Sequence, residues 1–106
     1  MKRLMIVARL RDGAHDEADG LLRGGPPFDP HALGLEGHAA YLTAGEVVFT
    51  FEGAEVEWIV NDLVDDPAVA VHFGPWEKLI EGSPRLAHER FYWSRREEKL
   101  AVGLGS

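Results

Sequence analysis

The stretch HAAYLTAGEVVFTFEG, residues 38–53, decides the fold. It reads as two strands joined around Thr43-Ala44-Gly45, a short turn in which glycine permits positive φ. In the second strand Val47, Phe49 and Phe51 fall on one face by the two-residue period of a strand. His38 opens the first strand, and Tyr41 lies on the face opposite to it. A hairpin at the middle of a chain raises the question of what stands on either side.

Toward the N-terminus, RLMIVARLR (residues 3–11) sets Leu4, Ile6, Ala8 and Leu10 on one strand face and Met5, Val7, Arg9 and Arg11 on the other. GAHDEADGLLRGG (13–25) follows, with Ala14, Ala18, Leu21 and Leu22 at helical spacing, acids in the first turns and Arg23-Gly24 at the end. Beyond the hairpin, AEVEWIVNDLVDD (54–66) gives Val56, Ile59, Val60 and Leu63 as one helical stripe. Asp66-Pro67 and Gly74-Pro75 each read as a cap followed by Pro in a first turn, so this helical region is broken, restarting at WEKLIEG (76–82). PRLAHERFYWS (84–94) alternates as a last strand. The expected organisation is one domain over 1–106, with an ordered core over 1–95 and a loosely held tail over 96–106.

The order β-α-β-β-α-β predicts an α+β fold of ferredoxin-like type: a four-stranded antiparallel sheet with helices on one face. Two short helices cover only that face. Met5, Val7, Val48 and Tyr41 make the other one apolar, which predicts a two-fold homodimer packed sheet to sheet.

Composition narrows the function. A net charge of −7 repels a phosphate backbone, so a nucleic-acid role is disfavoured. The absence of cysteine excludes disulfides, thiolate zinc sites, iron–sulfur clusters and a Cys nucleophile, and suits a reducing compartment. No segment approaches the roughly 20 apolar residues of a membrane span, and the N-terminal apolar run stops at Arg9. A cytoplasmic protein without a membrane partner is expected. Ser83, Ser94 and Ser106 lie outside any Gly-x-Ser-x-Gly elbow, which sets serine hydrolysis aside.

Element order, length and the broken helical stretch DDPAVAVHFGPWEKLIEGSPRLAHERFYW (65–93) resemble the dimeric α+β barrel superfamily over nearly the whole chain. That superfamily includes antibiotic-biosynthesis monooxygenases, EthD-like proteins, muconolactone isomerases, stress-responsive barrel proteins, heme-degrading monooxygenases and rhamnose mutarotases. His72 stands where the iron ligand of the heme-degrading members would. The first strand, however, offers Ile6 or Val7 where those members place Asn, and Trp58 is too far from His72 along the chain. His15 resembles a helical His of the mutarotases, whose paired Trp residues this chain lacks. The resemblance implies a small organic substrate and a monooxygenase or isomerase reaction, without a cofactor.

The loop from Gly24 to Gly37 is the most informative irregular segment. Loops of this length are uncommon in compact domains and are usually lids, binding loops or disordered. Pro26, Pro27 and Pro30 stiffen it, and Phe28 offers an apolar anchor, so it reads equally as a lid or as a plug for the core. Its Asp29 and His31 could converge with His38 on a metal ion, but loop polar groups more often bond their own backbone, and no metal site is expected. His38 and His72 border irregular segments and are the candidate acid–base residues. Phe28, His31, Tyr41 and Trp76 are the candidate ligand contacts. Three functions compete: a cofactor-independent enzyme acting by proton transfer or oxygenation, a ligand carrier or sensor, and a purely structural dimer.

Overall fold

The computed structural model describes residues 2–65 and 73–96. Its elements are β1 (Lys2–Leu10), α1 (His15–Arg23), β2 (Gly37–Leu42), β3 (Glu46–Gly53), α2 (Val56–Asp65), α3 (Gly74–Glu77) and β4 (Ile80–His88). The four strands form one antiparallel sheet in the order β2-β3-β1-β4, which is the ferredoxin-like α+β arrangement expected from the pattern. Asp66-Pro67 and His72 lie outside the described residues.

The central hairpin closes differently from its expected turn. Gly45 is not among the glycines with positive φ. Instead the Thr43 hydroxyl accepts hydrogen bonds from the backbone N–H groups of Gly45 (3.3 Å) and Glu46 (2.9 Å), while Thr43 N–H donates to the Glu46 carbonyl at 2.8 Å. A side-chain oxygen therefore does the work assigned to left-handed backbone.

One sheet face carries the core, in two clusters. Ala8, Leu10, Ala14, Ala18, Val47, Trp76 and Leu79 form the first. Three alanines there, Ala8 of β1, Ala14 at the N-cap of α1 and Ala18 within it, let the helix lie close to the sheet, and Ala18 is fully buried. Leu4, Phe51, Val56, Ile59 and Val60 form the second, with Phe28, Leu33 and Leu35 of the long loop packed against it. Phe49 touches both clusters. The buried positions of α2 are those of its helical stripe.

The C-terminal part departs from its reading. The helix after Gly74-Pro75 ends at Glu77 rather than running on through WEKLIEG, and β4 begins at Ile80 and stops at His88 rather than spanning 84–94. The reason is a bulge. Val7 pairs with Arg85 but Arg9 pairs with Glu81, so β4 carries two more residues than β1 across this interval. Gly82 absorbs the distortion at φ +78. A bulge at Gly82-Ser83-Pro84 looks like a turn in sequence, because only its partner strand shows that pairing resumes beyond it.

Candidate functional site

His38 lies on the helix-covered face of β2, opposite Phe51 in the register. Its ring centroid is 4.8 Å from that of Phe51, 5.1 Å from Phe28 and 6.5 Å from Phe49. Phe28 in turn meets Phe51 at 6.3 Å and Phe73 at 6.2 Å, and Trp76 meets Phe49 edge-on at 5.4 Å. The result is a half-buried imidazole inside an aromatic cluster built from the hairpin, the long loop and the approach to α3.

The tautomer of His38 follows from its one hydrogen bond. Nδ1 lies 2.9 Å from the Thr50 carbonyl, which can only accept, so Nδ1 carries the hydrogen. In the neutral ring Nε2 is then the basic nitrogen. Among the described residues no group hydrogen-bonds to it. Among the described residues no buried side-chain nitrogen or oxygen lacks a partner, so Nε2 is not fully sealed, although Phe28 and Phe51 crowd the half-buried ring. Burial pushes the imidazole below its ordinary value of 6.5, with the Thr50 bond opposing the shift. The ring is therefore neutral and basic at neutral pH.

This has a consequence for stability. Below pH 6.5 the unfolded chain takes a proton on His38 that the folded chain resists, so stability is complete above that pH and falls as pH drops through it. Urea unfolding at a series of pH values is expected to show a steeper acid loss for wild type than for His38→Gln. Parallel curves would refute the assignment.

The other candidate residues are distributed unevenly. Phe28 and Trp76 join the aromatic cluster, Phe28 directly against His38 and Trp76 through Phe49. Tyr41 projects from the opposite face of the sheet, paired with Val48, so the sheet separates it from His38. His31 is exposed on the loop, where its backbone N–H donates to Asp29 Oδ1 at 3.0 Å. His72 lies outside the described residues. Among those residues no cluster of His, Asp and Glu fits a metal ion. Phe49, Phe51 and the Thr50 carbonyl complete the surroundings of His38 and were not singled out from sequence as site residues. Counting register back through the turn from Val47 opposite Leu42 would have found them.

No protein-family profile and no curated protein matches the sequence. Solved structures do. An antibiotic biosynthesis monooxygenase superimposes with a TM-score of 0.62, covering 87% of this chain and 99% of its own at 9% identity. A NIPSNAP family protein of unknown function from Agrobacterium tumefaciens gives a TM-score of 0.58, covering 84% and 87% at 18% identity. The chain has the ferredoxin-like α+β fold of these proteins. In the sheet of this chain the side facing the helices holds His38 and its aromatic neighbours, and the other side holds Met5, Val7, Tyr41 and Val48. Met5 and Tyr41 on that open side are 43% and 58% exposed, an apolar surface where a polar one would be usual. Among the described residues no helix is long and apolar enough to cross a membrane.

Proposed function

We propose that the protein is a cytoplasmic homodimer, paired through its open sheet faces, that holds a small, partly apolar organic molecule against His38 and moves a proton on it without a cofactor. The observation that supports this reading is the state of His38: a neutral imidazole, fixed in one tautomer by Thr50, with a free basic Nε2 among aromatic rings. Such a base takes a proton from an acidic C–H or O–H, and the aromatic walls favour the apolar part of the substrate while limiting water. Returning the proton at a second carbon is isomerisation. The same deprotonation opens an electron-rich substrate to molecular oxygen, which would be the co-reactant of a monooxygenase. Phe28 lines the site in this reading, and Trp76 backs it through Phe49. Net charge speaks against nucleic acid as a partner.

A carrier or sensor is the second reading, favoured by one observation. Among the described residues no polar or charged side chain is fully buried, so nothing resembling a second acid–base group faces His38 from the core. The two readings separate in deuterated water. A panel of small ring ketones, lactones and phenols is followed by proton NMR, with binding read from protein amide shifts. For an enzyme, His38→Gln retains binding and slows deuterium exchange into the bound compound by about a hundredfold or more. Binding to wild type with no exchange in any bound compound identifies a carrier.

A further inference from the structure

The long loop is stiffened within and bounded by two glycines. Gly25 and Gly34 bracket it at φ +86 and +77, both left-handed. A Cβ at either position would meet nothing within 4 Å, so these glycines serve the backbone's conformation and not a tight contact. Between them three prolines limit internal freedom. Leu33 N–H donates to the Asp29 carbonyl at 3.3 Å and Gly34 N–H to the His31 carbonyl at 3.1 Å, while the bond from Leu35 N–H to the Pro30 carbonyl at 3.0 Å crosses Gly34 and must break when the stretch swings. The backbone bonds of this stretch close on the stretch itself, and the first to reach the sheet runs from Glu36 N–H to the Glu52 carbonyl at 2.8 Å. Residues 26–33 therefore rest on the sheet through side chains, chiefly Phe28 and Leu33.

Phe28 is the side chain that closes on His38, at 5.1 Å between ring centroids, while also touching Phe51 and Phe73. We propose that residues 26–33 are a strap hinged at Gly25 and Gly34, whose Phe28 ring occupies the place beside His38 that the apolar part of a ligand takes and swings clear to admit it. This rests on reading His38 as the centre of the site. Phe28 is then a built-in occupant: it keeps the aromatic cluster dry when empty, and a ligand binds by replacing one ring with another. The proline-stiffened interior between two left-handed glycines distinguishes a strap from a fixed plug, which would need only the ring.

Labelling with diethyl pyrocarbonate, which acylates neutral imidazole, read by peptide mass spectrometry, tests the hinge. The exposed His15, His31 and His88 serve as internal references. Gly25→Ala and Gly34→Ala strain only the closed strap, and the left-handed penalty is expected to raise the His38 labelling rate roughly five- to thirtyfold. Gly13→Ala is the control, since Gly13 has φ +81 and equally open space but lies outside the strap. Phe28→Ala should expose His38 fully. If the two hinge variants label His38 no faster than Gly13→Ala does, the strap is overturned and Phe28 is a fixed plug. The underlying reading is checked separately with indole as the probe. Protection of His38 by indole in Phe28→Ala supports a ligand site, and labelling unaffected by saturating indole in every variant overturns that reading, whatever the hinge variants show.

Discussion

Val48→Asp is expected to turn a dimer into a monomer at tens of micromolar protein, read by analytical ultracentrifugation. Val48 lies opposite Val7 on β1 and Tyr41 on β2, and Met5 lies opposite Thr50 on β3 and Ala87 on β4, so these residues form one continuous surface. Its charges stand at the ends of β1 and β3 and on the edge strand β4, where Arg85 lies opposite Val7, and most of them are engaged with one another. Arg3 reaches Glu52 and Glu89, each at 3.4 Å, and its guanidinium sits 3.3 Å over the Tyr92 ring. Arg85 reaches Glu46 at 3.3 Å. These exposed pairs add little stability, but they leave the middle of the face apolar and its rim close to neutral. In the proposed dimer a second copy supplies the same apolar middle about a two-fold axis. Aspartate at position 48 costs little in a monomer, where the residue borders solvent. In the dimer it buries a carboxylate without a partner and sets it near its twin. A penalty of about 3 kcal/mol or more weakens association by a hundredfold or more. A wild type that sediments as a monomer would refute the open-face dimer, and a Val48→Asp variant that stays dimeric would move the interface elsewhere.

The legible parts of this chain are those governed by local period. Alternation in 38–53 and 3–11 placed the strands and their faces, and the spacing of Val56, Ile59 and Val60 placed the buried side of α2. The last strand was legible as a strand but not in extent, because Gly82, Ser83 and Pro84 form a bulge whose existence depends on where Val7 and Arg9 find partners. The turn at Thr43 was legible as a turn, but the hydroxyl that closes it competes with a neighbouring glycine that looked the better candidate. At the site, His38 and Phe28 were each legible as residue types bordering irregular segments. Their meeting was not, since it joins a loop ring to a strand ring through tertiary packing. Nor was the tautomer of His38, which is decided by a carbonyl twelve residues away in sequence.

Trp76→Ala is expected to destabilise the fold by about 3–5 kcal/mol, a large part of the roughly 5–15 kcal/mol that holds a domain of this size. Trp76 is the anchor of α3, a helix of 4 residues that has too few internal bonds to persist alone. Its ring is 6% exposed, belongs to the cluster with Ala14, Ala18 and Val47, and meets Phe49 edge-on at 87°. Removing it leaves a large cavity where α1, α3 and the sheet meet, and frees the segment that leads into β4. The three alanines that let α1 sit close to the sheet have no long side chains with which to fill that space. Urea unfolding followed by circular dichroism should show a midpoint far below that of wild type. Trp58→Ala, at a position 71% exposed on α2, should stay within about 0.5 kcal/mol. The comparison also decides what Trp76 does. Loss of stability in the empty protein marks it as a pillar that holds Phe49 in place beside His38. Unchanged stability with weakened ligand binding would instead make it a wall of the site itself.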